Sequence, residues 1–181
     1  MKIVAISGKR ESGKSLLASF LEHNHGFERW SLADDLKRRA LRDFPLLRPS
    51  QLWGNEKEIP TGYIRTDGSP LTGRDILIRM GTFYRSVDAL YWCKQFDPKI
   101  GDLIVIDDLR FVNEMRYFKE NHETYFVRLE RDEEAIGKKA LDDLSETEMD
   151  SFTGWNYRLE ASLNKLPKDL EIFANRIAST I

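Results

Sequence analysis

A chain of 181 residues is long enough for one well-packed domain with a small insertion. Its 28 basic and 30 acidic side chains are interspersed and leave a net charge of −2, so the chain offers no basic field for nucleic acid. The single cysteine, Cys93, excludes a disulfide framework and points to a reducing, cytoplasmic compartment, and no apolar run approaches membrane-spanning length.

The first element is predicted over 2–7, K-I-V-A-I-S, a short apolar run suited to a buried strand. It leads directly into G-K-R-E-S-G-K-S at 8–15, a complete G-x-x-x-x-G-K-[ST] phosphate-binding loop, which rules against a secretory signal. Leu16, Leu17, Phe20 and Leu21 then fall at helical spacing. Strand, glycine turn and helix is the order such a loop requires, because Gly8 and Gly13 let the backbone curl until its N–H groups and the helix N-terminus converge on an anion. Gly8, Ser12, Gly13, Lys14 and Ser15 are therefore the ATP-binding candidates. Lys14 would reach the β- and γ-phosphates, and Ser15 would ligate Mg2+. His23 and His25 close the first helix, and with His122 they lack the spacing of a metal site.

Residues 33–44 are predicted helical, with Leu36, Ala40, Leu41 and Phe44 on one face. The stretch 45–73 carries four of the six prolines and four glycines, and reads as an irregular excursion within one domain. A long helical segment is expected over 74–95, with Cys93 as a small buried thiol. Trp53, Tyr63, Phe83, Tyr84, Tyr91 and Trp92 could stack a base, although core packing is the ordinary role of such residues. Leu103 to Ile106, L-I-V-I, is the second clear strand and runs into Asp107 and Asp108; a third covers 125–129, and 170–177 should be a last helix packing on the sheet. Strands alternating with helices imply a parallel sheet wrapped by helices.

In such a sheet, ligands sit beyond the carboxyl ends of the strands, where the phosphate loop and the Asp107–Asp108 pair both land. Alone, two aspartates after a strand read as a helix cap or a turn. Beside a complete phosphate loop they read as the second half of a phosphoryl-transfer site, holding Mg2+ directly or through water. Transfer between two anions needs converging cations, and guanidinium forks suit it best. Arg110 lies just past Asp108, Arg131 follows the third strand, and Arg74 and Arg85 lie on the long helical segment; each taken singly reads as a solvated charge. The polar segment 131–145, with Gly137, Lys138 and Lys139, reads equally as a lid and as a surface helix.

Several short blocks follow one another along most of the chain: S-L-A-D-D-L-K around Asp34 and Lys37, L-W-G-N-E-K-E at 52–58, G-R-D-I-L-I-R-M-G-T at 73–82, then Trp92, I-D-D-L-R-F-V-N-E at 106–114, V-R-L-E-R at 127–131 and S-E-T-E at 145–148. In this order they resemble bacteriophage-type deoxynucleoside monophosphate kinases, P-loop kinases similar in fold to other nucleoside monophosphate kinases. The resemblance implies an α/β, three-layer P-loop fold with a central, mostly parallel sheet flanked by helices. It implies a single domain over 1–181, with an acceptor-binding region at 45–100 and a lid at 131–145.

The implied reaction is transfer of the ATP γ-phosphoryl group to a deoxynucleoside monophosphate, giving the diphosphate and ADP. Lys14, Asp108, Arg110 and Arg131 match the family's catalytic positions. Ser15 and Asp108, more than Asp107, match its Mg2+ site. Lys37, Lys57, Arg74 and Glu146 match its acceptor side, to which Arg85 is added from its place on the helical segment. Asp143 stands where the family usually shows a histidine and Phe83 where it shows an acidic residue, departures that bear on base selectivity. The expected partners are ATP and deoxynucleoside monophosphates, with no nucleic acid and no membrane, in a cytoplasm that would be a host's if the protein is viral; a homodimer is compatible with the sequence. Open alternatives are another small-molecule P-loop kinase, such as a phosphomevalonate or dephospho-coenzyme A kinase, a nucleotide-binding regulatory module, and a simple NTPase.

Overall fold

A computed structural model describes residues 1–9, 11–97, 101–131, 148–161 and 166–181. The chain forms two compact units: Met1–Ser31 together with Asp97–Ile181, and the inserted Leu32–Phe96. The first unit, here the sheet unit, contains β1 (Lys2–Gly8), α1 (Lys14–His25), β2 (Glu28–Trp30), β5 (Leu103–Ile106), α4 (Val112–Asn121), β6 (Glu123–Arg131), β7 (Tyr157–Ala161) and α5 (Leu166–Thr180). The inserted unit contains α2 (Leu32–Asp43), β3 (Pro60–Ile64), β4 (Pro70–Thr72) and α3 (Gly73–Val87).

The five strands of the sheet unit lie in the order β2-β5-β1-β6-β7, and every pairing is parallel. β1 is central and buried on both faces, which is why its sequence is a continuous apolar run and not an alternating one. Val4 and Ile6 pack with Leu17 and Leu21 of α1, Val105 of β5, Val127 and Leu129 of β6, and Leu170, Phe173 and Ile177 of α5. Ile3 and Ala5, alternating with them, are buried on the opposite face, and α4, packed on β6, buries Met115 and Phe118. This is the α/β fold expected, a parallel sheet with helices on both faces.

Two edge strands, β2 and β7, add to the three read from sequence, and β6 and the last helix run longer than their apolar cores. In the inserted unit, Ala40 of α2, Leu47, Leu52 and Ile76 of α3 form a separate small core, joined by Phe44, Tyr63, Leu71 and Met80. The stretch 45–73, expected to be irregular, contains the antiparallel hairpin β3-β4. The helical segment expected over 74–95 stops at Val87, because the Asp88 carboxylate accepts from the Leu90 N–H at 3.0 Å and from Lys94 Nζ at 2.6 Å and turns the chain. Cys93 then lies buried in a short 3-10 turn, Cys93–Gln95.

Candidate phosphate-binding site

The loop after β1 has the backbone its sequence demands. Gly13 caps α1 in the left-handed region, with φ 95°, and Glu11 also has positive φ. A Cβ on Gly8 would lie 2.5 Å from Ser12 Oγ and 2.6 Å from the Leu129 carbonyl, so the loop can close against β6 only with glycine there. No acidic residue lies in the first turn of α1 and no side chain caps it, which leaves the positive end of the helix to an anion. Ser12 Oγ is buried and has no hydrogen-bond partner among the described residues. Lys14 Nζ donates to the carbonyls of Gly8 and Lys9, each at 2.6 Å, and is thus held over the loop.

Gly8, Ser12, Gly13, Lys14 and Ser15 are therefore brought together as expected. Ser15 Oγ donates to Asp107 Oδ2 at 3.0 Å. Asp107 begins where β5 ends, and β5 lies beside β1, so the parallel register carries the carboxylate to the loop. The expected metal partner of Ser15 was Asp108; the structure brings Asp107 to it instead. Successive side chains of an extended segment point to opposite sides, so only one of two adjacent aspartates can face the loop. Asp108 Oδ2 instead accepts from Ser31 Oγ at 2.8 Å. Arg110, two residues on, is exposed, and its N–H and that of Phe111 donate to Glu114 at the start of α4.

Hard oxygen donors from Ser15 and Asp107, beside a loop that favours phosphate oxygens, are the donor set Mg2+ takes when phosphates complete its shell. Among the described residues no cluster of three or more His, Cys, Asp or Glu could hold a metal by protein ligands alone.

Two arginines absent from the sequence reading stand close to this loop. Arg29 of β2 forms an ion pair with Asp107 on the same carboxylate oxygen that Ser15 uses. Arg128 of β6 is buried, donates to Ser7 Oγ at 3.2 Å and pairs with Asp150, whose other oxygen lies 3.5 Å from Lys9 Nζ. The charged position inside V-R-L-E-R was the one available hint of Arg128. Arg131 ends β6, two residues beyond Leu129, the register partner of Gly8. Glu146, expected on the acceptor side, and residues 132–145 of the expected lid lie outside the described residues.

Lys37, Lys57, Arg74 and Arg85 all belong to the inserted unit. Arg74 follows Gly73 at the start of α3, and a Cβ on Gly73 would lie 2.2 Å from the Gln51 carbonyl, which makes glycine obligatory where the helix begins. The cap is a reciprocal box: Thr72 Oγ1 accepts from the Asp75 N–H at 3.2 Å and the Asp75 carboxylate accepts from the Thr72 N–H at 2.9 Å. The Arg74 guanidinium pairs with Glu58, and the Arg74 backbone N–H donates to the Lys57 carbonyl at 3.0 Å. Arg85, half-buried, lies further along the same helix beside Gly81.

Lys37 Nζ and Trp53 Nε1 both donate to Asp34 Oδ1 at 2.9 Å, and the ammonium sits 5.5 Å from the Trp53 ring centre. Burial alone would raise the Asp34 carboxyl, but those two hydrogen bonds and the Lys37 charge outweigh it and hold the group below its ordinary range. Tyr84, Tyr91 and Trp92 pack on one another, with the Arg39 guanidinium 5.5 Å from the Tyr84 and Tyr91 ring centres. Tyr63 packs edge-on against Phe44, whereas Trp53 and Phe83 are exposed.

No protein-family model matches this sequence, and no curated protein sequence matches it. Among solved structures, the chain is similar to a sugar kinase from Janibacter sp., at 15% identity over 97% of this chain and 92% of that one, with a TM-score of 0.44. It is also similar to a gluconokinase from Sinorhizobium meliloti, at 13% identity over 99% and 94%, with a TM-score of 0.40. A third likeness is an uncharacterized protein from Eubacterium ventriosum, at 16% identity over 99% and 97%, with a TM-score of 0.43. Among the described residues, no helix is long and apolar enough to cross a membrane.

Proposed function

We propose that this protein is an ATP-dependent small-molecule kinase whose acceptor is a deoxynucleoside 5′-monophosphate. The observation that carries the reading is the contact of Ser15 with Asp107 beside Lys14, at the carboxyl ends of β1 and β5. That arrangement supports a phosphate donor with a divalent cation, and the blocks at 31–37, 52–58, 73–82 and 106–114 support the monophosphate acceptor.

An acceptor phosphate is already a competent nucleophile near neutral pH, so the chain needs no catalytic base. Its own residues would act by alignment and charge: Lys14 on the donor phosphates, Arg110 and Arg131 on the moving group, and Lys37, Lys57, Arg74, Arg85 and Glu146 on the acceptor. Mg2+, held by Ser15 and Asp107, would neutralise phosphate charge. Incubation with MgATP and each nucleoside monophosphate separately, alongside phosphomevalonate, dephospho-coenzyme A and gluconate, tests the reading. Diphosphate formed from deoxynucleoside monophosphates supports it, and a product from another acceptor alone replaces it with the wider kinase class.

A further inference from the structure

The Asp107 carboxylate already carries a cation. It is 6% exposed, and a buried carboxylate needs charge compensation as well as hydrogen bonds. Arg29 provides that charge from the neighbouring strand, where β2 pairs with β5 in the register Arg29↔Val105 and Trp30↔Ile106. Both Ser15 Oγ and the Arg29 guanidinium engage Asp107 Oδ2, the oxygen that faces the phosphate loop. The Arg29 side chain remains 34% exposed, so it can leave the carboxylate without creating a buried unpaired cation.

Resting on the proposed MgATP site, we propose that Arg29 is a built-in counter-cation for Asp107 with which the divalent ion must compete. In the metal-free protein, Arg29 would hold Asp107 in place against Ser15. On metal binding, the same positive charge would weaken the hold of Asp107 on the incoming cation. Arg29 is thus a positioning residue that sets how strongly nucleotide binding depends on metal, and it touches no reacting atom.

The test compares calorimetric affinities for the non-hydrolysable ATP analogue AMPPNP with and without Mg2+, in the wild type, Arg29→Gln and Arg29→Lys. The ratio of the two affinities isolates the metal's contribution from general damage to the fold. It should rise about tenfold in Arg29→Gln, as befits coupling between adjacent charges, and less in Arg29→Lys, which keeps the charge. In an Asp107→Asn background, Arg29→Gln should leave the ratio unchanged. Without ligand, Arg29→Gln should melt at a lower temperature than the wild type, and saturating Mg-AMPPNP should narrow the gap. A ratio that is unchanged or lower in folded Arg29→Gln and Arg29→Lys overturns the proposal while leaving the nucleotide site standing. Failure of the wild type to bind Mg-AMPPNP overturns the site and the proposal together.

Discussion

Asp107 of the sheet unit and Arg74 of the inserted unit hold their charges in opposite ways, the first with a side chain 7% exposed and the second with one 38% exposed. In the sheet unit, Ser7, Asp107 and Arg128 are placed by parallel strands and are buried, while the exposed Ser15, in the first turn of α1, donates to Asp107. In the inserted unit, Arg74 pairs with Glu58 at side chains 38% and 57% exposed, an ion pair worth about 0–1 kcal/mol that a bound phosphate could displace. Rigid buried partners suit a group that must stabilise charge during transfer; replaceable exposed partners suit one that captures and releases a ligand. Substitutions of Lys14 and Asp107 should therefore act on rate, and those of Arg74 on acceptor KM.

The largest effect belongs to Lys14→Ala, which should lower turnover more than about a hundredfold, or about 3 kcal/mol, with the melting temperature nearly unchanged. Its ammonium contacts backbone carbonyls of the loop and fills no core position. The contrast between neighbouring aspartates comes next. Asp107→Asn should reduce kcat by roughly a hundredfold and Asp108→Asn by less than about tenfold, because only Asp107 meets Ser15. Equal losses would erase the distinction drawn from the strand end.

On the acceptor side, Arg74→Ala should raise the monophosphate KM about tenfold and leave the ATP KM unchanged, as measured by varying each substrate independently. Arg74→Lys should also impair it, since an ammonium cannot make the bidentate contact of a guanidinium. A rise in the ATP KM alone would move Arg74 to the donor side.

The smallest effect is on acid stability. Asp34 titrates below its ordinary value of about 3.9, so its contribution is full above that value and is lost as pH falls through the lower folded value. Between about pH 6 and pH 3, the wild type should lose more melting temperature than Asp34→Asn. Identical slopes would mean that the Lys37 and Trp53 hydrogen bonds contribute nothing net.

Legibility in the sequence followed burial. Lys2–Gly8 and Leu103–Ile106 stand out because a central parallel strand is apolar on both faces, whereas E-R-W of β2 and the charge-bearing Y-R-L-E-A of β7 are short edge strands with no such pattern. The phosphate loop was legible because its chemistry is local to eight successive residues. The choice between Asp107 and Asp108 was not, since it depends on which side of the chain faces the loop. Arg29 was invisible for a related reason: its partner lies 78 residues away and is brought near by strand pairing alone. In the inserted unit, the Asp88 turn ended a helix that apolar periodicity alone would have continued, because a short carboxylate side chain competes for backbone N–H groups.

Following the γ-phosphoryl group itself distinguishes transfer to a monophosphate from hydrolysis. ATP labelled at the γ-phosphate, Mg2+ and a deoxynucleoside monophosphate should yield label in the deoxynucleoside diphosphate, and Lys14→Ala should abolish that product. Label appearing only as inorganic phosphate, at a rate indifferent to the monophosphate, would make the protein a simple NTPase and rule out the kinase.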